Sequence, residues 1–326
     1  MPHCNKVNTL LSKRRLTDQQ RTRIQQQQSE STDLQGLVLA NFGRQAEVRM
    51  LDSGDIQQYK VRANIQTLVA GDNVRVSSEG SISALLPRRT ELLRPDPQGR
   101  LKPVAANIDS VFVVVAPEPQ AFANLIDRYL VAIAVSDMKP VLVLNKIDLL
   151  GQRDSALINM LGRYEALGIP LLRVSGTSGE GLTELASAFE QTTGVLVGQS
   201  GVGKSSLIQV LLPKQELKVG PLSVASKKGR HTTTTARLYH FPAGGDLIDS
   251  PGIREFGLWH MEPDDVLYGF KELRDMIGHC KFRDCQHELE PKCAIRESLE
   301  EGKISQLRFD SYKRILSTLG EFDKGF

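Results

Sequence analysis

The spacing of apolar residues changes several times along this chain, and each change marks a new structural unit. Residues 1–33 are polar and rich in Gln, with Lys6, Lys13, Arg14, Arg15, Arg21 and Arg23 outweighing the few acids. Such a segment has too little apolar surface to offset its chain entropy, so a disordered basic tail is expected. From Leu34 to Pro95 the texture becomes short alternating runs, LQGLVLAN, AEVRML, QQYKVRA, NVRVSS and SISALL, separated by Gly, Asp, Asn and Ser. Alternation buries every second side chain, so these runs predict a five-stranded barrel over 34–95. An OB-type barrel is the commonest five-stranded solution, although an SH3-like barrel would write a similar pattern.

After RPDPQGRLKP, read as a loop, the pattern switches to continuous apolar strands with helical runs between them. IDSVFVVVAP and PVLVLNKID flank FANLIDRYLVAIAVS, which is the signature of a βαβ unit with a parallel sheet buried on both faces. The alternation continues through SALINMLGRYEALG, PLLRVSG, LTELASAFE, GVLVGQSG, SSLIQVLL and YHFPAGGDLIDSPG, giving one α/β domain over 104–258. Residues 259–326 carry helical spacing only and predict a small helical domain. In its last helix Ile304, Leu307, Tyr312, Ile315 and Leu319 form an apolar stripe, read as core, with Arg308, Lys313 and Arg314 among the other positions.

Composition refines this picture. With 41 Lys and Arg against 38 Asp and Glu the charge is nearly balanced, so any nucleic-acid partner must be recognised through local charge. The basic tail, the barrel face and Arg88, Arg89 and Arg94 at the barrel exit are candidate phosphate contacts. No run of about 18 apolar residues occurs and the N-terminus does not read as an export signal, so a cytoplasmic location and no membrane partner are expected; a monomer is also expected. Three of the four cysteines fall within residues 280–293, which points to a metal site rather than a disulfide framework. Cys280, Cys285, His287 and Cys293 offer three thiolates and an imidazole, suited to a closed structural Zn²⁺ site; His279 could replace His287.

The chemistry is carried by phosphate and base motifs. Gly198-Gln199-Ser200-Gly201-Val202-Gly203-Lys204-Ser205 follows an apolar strand and opens a helix with Ser206, the context that identifies a P-loop. Its backbone N–H groups would cradle phosphates, Lys204 would reach the terminal phosphates, and Ser205 would supply a hydroxyl to Mg²⁺. Asn145-Lys146-Ile147-Asp148 closes the strand PVLVL and matches the N-K-x-D motif that reads guanine. A carboxylate there accepts from two guanine donors that adenine lacks, and a buried Asp148 left unpaired would cost on the order of 1 to 3 kcal/mol, so GTP is preferred over ATP. Ser175 and Gly176, after the strand PLLRV, occupy the place of a base-backing loop. Asp249-Ser250-Pro251-Gly252 fits D-x-x-G, which approaches Mg²⁺ and senses the γ-phosphate, and one threonine of the GRHTTTT run, Thr233 or Thr234, is the second Mg²⁺ hydroxyl.

These motifs stand in an unusual order, because N-K-x-D and the base loop precede the P-loop. Since such a site is assembled in space from strand ends, a cyclic shift of the order preserves it. The sequence resembles the ribosome small-subunit-dependent GTPase A family over nearly its whole length, on GQSGVGKSS, the GRHTTT switch, the early NKID and the late Cys/His cluster. The resemblance implies an OB barrel, a circularly permuted GTPase domain, a zinc domain, and GTP hydrolysis stimulated by the small ribosomal subunit and its rRNA during late assembly. Ile253 stands where many GTPases carry a water-orienting Gln, so unaided turnover should be slow. His231 is the substitute this sequence offers, and the resemblance points to it as well. If water were never positioned, the chain would be a GTP-gated RNA-binding adaptor instead. D-x-x-G leads directly into residues 259–326, so nucleotide state is expected to move that module.

Overall fold

The computed structural model describes residues 34–212, 236–249 and 261–322, except 66, 97, 152–153 and 242–243. The basic tail, the Thr-rich run with His231, Thr233 and Thr234, and Gly252 and Ile253 lie outside the described residues. The alternating runs of the N-terminal part form β1 (Leu34–Asn41), β2 (Gln45–Met50), β3 (Ile56–Val61), β4 (Asn73–Val76) and β5 (Ser81–Leu85). They pair in the order β1-β2-β3-β5-β4, and β4 closes back on β1. β3 and β5 run parallel while the other neighbours are antiparallel. This closed Greek-key order is the OB-type barrel, and it removes the SH3-like alternative. Val38, Val48, Val74 and Ile82, one from each of four strands, are fully buried at its centre.

The run RPDPQGRLKP is not a loop. β6 (Glu91–Pro95) and β7 (Leu101–Ala106) pair as an antiparallel hairpin, whose turn is fixed by the Asp96 carboxylate accepting from the backbone N–H of Gln98 and Arg100, both at 2.9 Å. Asp96 is the turn-forming residue, while Pro95 and Pro103 lie within the two strands. The arginines before the hairpin are also committed within the fold. Arg88, half-buried, pairs with the fully buried Asp72 at 2.6 Å and donates to the Thr67 carbonyl, and Arg89 pairs with Asp109 at 2.7 Å. Arg88 therefore serves to anchor the barrel exit and presents little surface to a phosphate partner.

The central sheet contains β8 (Ser110–Val115), β9 (Lys139–Leu144), β10 (Leu171–Arg173), β11 (Thr193–Val197), β12 (Arg237–His240) and β13 (Asp246–Asp249). Their spatial order is β10-β9-β8-β11-β13-β12, all parallel except β12, which is antiparallel to β13 and pairs with β1 on its other side. The helices α1 (Ala123–Val135) and α2 (Ser155–Ala166) cover one face, and α3 (Leu182–Ser187) and α4 (Lys204–Leu211) the other. Strand period explains how one apolar run serves both layers. Val111, Val113 and Val115 of β8 pack with α1, while Phe112 and Val114 pack with α3 and α4.

Residues 261–322 form α5 (Pro263–Gly269), α6 (Lys271–Arg274), α7 (Ala294–Glu300) and α8 (Gln306–Phe322), packed on α1 and sharing its apolar core through Phe270, Ile295, Ile304, Tyr312 and Ile315. The stripe on α8 departs from expectation at one position: Leu307 is 54 % exposed and Arg308 is buried. The helical step explains it, since 308, 312, 315 and 319 are spaced by four, three and four residues, whereas 307 falls off that face, and Ile304 is buried just ahead of the helix. Arg308 is held by a two-pronged pair with Glu272 of α6, at 2.6 and 3.1 Å, and by Asp127 of α1, which also accepts from the Tyr164 hydroxyl at 2.7 Å. Burial pushes the Asp127 carboxyl above its ordinary value, and the Arg308 charge opposes that shift.

Removing one member of such a buried set leaves the others charged and desolvated. Arg308→Ala is expected to lower stability by about 3 to 5 kcal/mol in urea unfolding followed by tryptophan-independent circular dichroism. A loss under about 1 kcal/mol would mean that water already solvates this cluster.

Candidate nucleotide site and metal cluster

Every predicted nucleotide motif that is described stands at the carboxyl end of a strand of the parallel sheet, the side where open α/β sheets bind ligands. β11 leads into residues 198–203 and α4, β9 into 145–148, β10 into 175–176, and β13 ends on Asp249. The phosphate loop is shaped by close approach. Gly198 has φ 136°, and a Cβ there would stand 2.2 Å from the Val114 carbonyl oxygen of the neighbouring strand β8. Gly203 has φ 94°, and its Cβ would stand 2.3 Å from the side-chain nitrogen of Asn145. No other residue type fits either place. The Lys204 ammonium donates to the Gly198 and Gln199 carbonyls, both at 2.6 Å, which folds the side chain back over the loop that precedes it. Ser205 and Ser206 follow in the first turn of α4.

Asn145 joins the two separated motifs. It is almost wholly buried; its Nδ2 donates to the Val202 carbonyl at 2.9 Å and its Oδ1 accepts from the Gly176 N–H at 3.3 Å. One side chain thus ties the end of β9 to the phosphate loop and to the base loop. Lys146 takes a left-handed backbone, φ 62°, and its Nζ donates to the Glu118 carbonyl at 2.8 Å. The short helical turn Ile147–Leu149 then carries Asp148 outward, where its Oδ1 accepts from the Ser175 hydroxyl. Ser175 is itself buried and its Oγ takes the N–H groups of Thr177 and Ser178 at 3.2 and 2.9 Å.

One expectation needs correcting here: Asp148 is exposed, not buried, because that turn lifts it clear of the sheet. Any selection of a base at Asp148 would therefore rest on the pairing of donors and acceptors rather than on a desolvated carboxylate. The Glu118 carbonyl was not legible in the sequence, since any residue supplies a carbonyl and only the fold brings this one to Lys146.

The cysteine cluster lies on the C-terminal module. The donor atoms of Cys280, Cys285, His287 and Cys293 all lie within 4.8 Å of one another, and His279 is not among them. The Cys280 and Cys293 sulfurs are 3.9 Å apart, and the His287 Nδ1 stands 3.6 and 3.4 Å from them. A tetrahedron with Zn–S near 2.3 Å and Zn–N near 2.0 Å has edges of about 3.8 and 3.5 Å, so the donor spacing fits that ion. Burial pushes the Cys285 thiol up to about 12 and lowers His287, so the imidazole is neutral and ready to donate.

An OB barrel joined to a parallel sheet with phosphate and base loops in permuted succession defines a circularly permuted P-loop GTPase. Comparison with known proteins narrows the class. The model of the RsgA GTPase family matches residues 85–259. The chain is 52 % identical to the small ribosomal subunit biogenesis GTPase RsgA of Pseudomonas aeruginosa over 88 % of its own length and 86 % of that protein's, and 52 % identical to the Azotobacter vinelandii protein of the same name with the same coverage. Among solved structures, YjeQ from Thermotoga maritima is similar with TM-score 0.73 and 29 % identity, covering 88 % of this chain and 98 % of that one. YloQ, described as a circularly permuted GTPase, gives TM-score 0.70 and 26 % identity, covering 89 % and 96 %. The chain belongs to the RsgA GTPase family, and it is a GTP-hydrolysing enzyme.

Asn145 is the side chain on which the geometry of the site turns. Asn145→Ala strips a partner from the buried Val202 carbonyl and should lower stability by about 1 to 3 kcal/mol in urea unfolding of the nucleotide-free protein, with GTP and GDP affinity falling together. An unaltered unfolding midpoint would show that the two motifs hold their places without it.

Proposed function

We propose that this protein acts in biogenesis of the small ribosomal subunit as a cytoplasmic, monomeric GTPase that binds the subunit through rRNA and is stimulated by it. No helix among the described residues is long and apolar enough to cross a membrane. The observation that carries the nucleotide part is the Asn145 bridge, which brings residues 145–148, 175–176 and 198–205 around one volume. On this reading the N–H groups of Gly198 to Ser206 and the Lys204 ammonium hold the phosphates. Asp148 accepts from the guanine ring N–H and amine, while Lys146 and the backbone of Ser175 and Gly176 flank the base. Ser205 and one of Thr233 and Thr234 would hold Mg²⁺, with Asp249 and Gly252 sensing the γ-phosphate. That ion, when bound, neutralises charge developing on the β- and γ-phosphate oxygens.

His231 would orient the attacking water, in place of the Gln that Ile253 supplants. One Zn²⁺ held by Cys280, Cys285, His287 and Cys293 would staple the C-terminal module, since the set leaves no open coordination position for chemistry. The functional divisions follow as a basic tail at 1–33, a barrel at 34–95, a GTPase domain at 104–258 and a zinc module at 259–326. RNA contacts then belong to the barrel face and the tail rather than to Arg88, which Asp72 already holds.

Phosphate release measured against rising concentrations of purified small subunits should increase and saturate; a flat response sinks the proposal. His231→Ala should keep GTP affinity yet lose the stimulated turnover. Asp148→Asn replaces an acceptor with a donor at the base, so it should weaken GTP binding roughly tenfold or more and admit xanthosine triphosphate, whose C2 oxygen accepts where guanine donates. Unchanged base preference in that variant removes Asp148 from recognition.

A further inference from the structure

The barrel and the GTPase sheet are one continuous sheet, and a row of side chains runs straight across the join. Glu47 of β2 is opposite Ala40 of β1, Ala40 is opposite Arg237 of β12, and Arg237 is opposite Asp249 of β13. Residues directly opposite in antiparallel strands share a face of the sheet, so these four side chains stand in file on one surface. Ala40 is the gap in the file. It is buried and ends at its methyl group, so Glu47 and Arg237 meet above it, with guanidinium nitrogens 2.5 and 3.1 Å from the two carboxylate oxygens. β1 reaches this position because its register shifts between Val38 and Ala40, which bends the strand out of the barrel towards β12.

The file ends at functional ground. Arg237 is the first residue of β12, the strand that follows the Thr-rich run, and Asp249 opens D-x-x-G. Arg237 is therefore the cross-strand neighbour of Asp249, the carboxylate read above as opening the element that approaches Mg²⁺ and senses the γ-phosphate, and a carboxylate from another part of the chain holds the Arg237 charge in a two-pronged pair. Tyr239, two residues further along β12, senses all three neighbours: burial raises its pKa, Asp249 and Glu47 raise it further, and Arg237 lowers it.

We propose that Glu47 of the barrel is a positioning residue for GTP hydrolysis: it fixes Arg237 at the start of β12 and keeps the guanidinium from competing with Mg²⁺ at Asp249. The inference rests on the reading of Asp249 as part of the Mg²⁺ and γ-phosphate element. It gives the barrel a direct electrostatic hand in the active site, without a moving domain.

The test is the Mg²⁺ dependence of GTP turnover by the full chain. Glu47→Gln releases the Arg237 charge onto Asp249 and should raise the Mg²⁺ needed for half-maximal turnover, roughly threefold to tenfold for a unit charge at this separation near the surface. Arg237→Gln should not raise it, and adding Arg237→Gln to Glu47→Gln should bring it back. A purely structural ion pair behaves otherwise, since both single variants and the double variant lose the same contact and would move together. Labelled GDP should bind all three variants as it binds the unaltered chain. The proposal is overturned by an unshifted curve for Glu47→Gln, by a double variant no better than the single, or by a loss of GDP affinity parallel to the shift. Asp249→Asn separates the two levels. If it leaves the Mg²⁺ dependence unchanged, the assignment of Asp249 falls and this inference with it; if it shifts the dependence while Glu47→Gln does not, only the role of Glu47 is lost.

Discussion

The constraint on which this structure depends is the amide of Asn145. A permuted chain must bring the end of β9 to a phosphate loop that it has not yet reached in sequence, and it must hold the two together once they meet. A buried primary amide meets that need because it both donates and accepts, so one residue satisfies the Val202 carbonyl on one side and the Gly176 N–H on the other. The demand propagates outward. Gly203 is a glycine because the Asn145 amide occupies the place of its Cβ, and Gly198 is one because the loop turns hard against the Val114 carbonyl of β8. The site is thus specified by packing around an amide as much as by the residues that would touch a nucleotide.

Permutation also decides how the flanking modules attach. The order β10-β9-β8-β11-β13-β12 places β8 and β11 at the centre, so the chain enters the domain in its middle and leaves by the pair β13 and β12. The hairpin of β6 and β7 brings the chain from the barrel to that central entry, while β1 returns to pair with β12 at Ala40. One apolar core consequently runs through Leu39 and Ala70 of the barrel, Val195 and Ile248 of the sheet, and Phe270 and Ile315 of the C-terminal module. Loose linkers would have allowed these units to move independently; a shared core couples them.

Much of this was legible in the sequence, and the parts that were not share a cause. The five barrel strands, the βα alternation and the four-donor cluster follow from period and spacing, which are local properties. What escaped was the pairing of charges over long sequence distances. Arg308 was set aside as a polar position on α8 although its helical step places it inward; its partners Asp127 and Glu272 stand 181 and 36 residues away. Arg88 looked like surface charge until Asp72 was seen to take it in. Asp148, expected as a buried carboxylate, is carried outside by three residues of tight helical turn. A strand that ends in polar residues fixes where they emerge and leaves their depth to the loop.

The attachment of the C-terminal module bears on how nucleotide state could reach it. That D-x-x-G runs directly into the module suggests a mechanical lever, yet the module is held elsewhere, on α1. Asn124 donates to the Ser311 hydroxyl at 3.0 Å, Arg128 to the Thr318 hydroxyl at 2.6 Å, Asp127 pairs with Arg308, and Gly269 packs so closely on Val131 that a Cβ would stand 2.7 Å from its Cα. These interactions are directional and buried or part-buried, so the module cannot slide on α1 without breaking several at once. The same helix turns its Tyr129 hydroxyl to the backbone of Gly198, the first glycine of the phosphate loop. α1 thus touches both the phosphate loop and the C-terminal module, so the two share one packed helix. The peptide that follows Asp249 adds a covalent connection, but the packing determines which body it pulls.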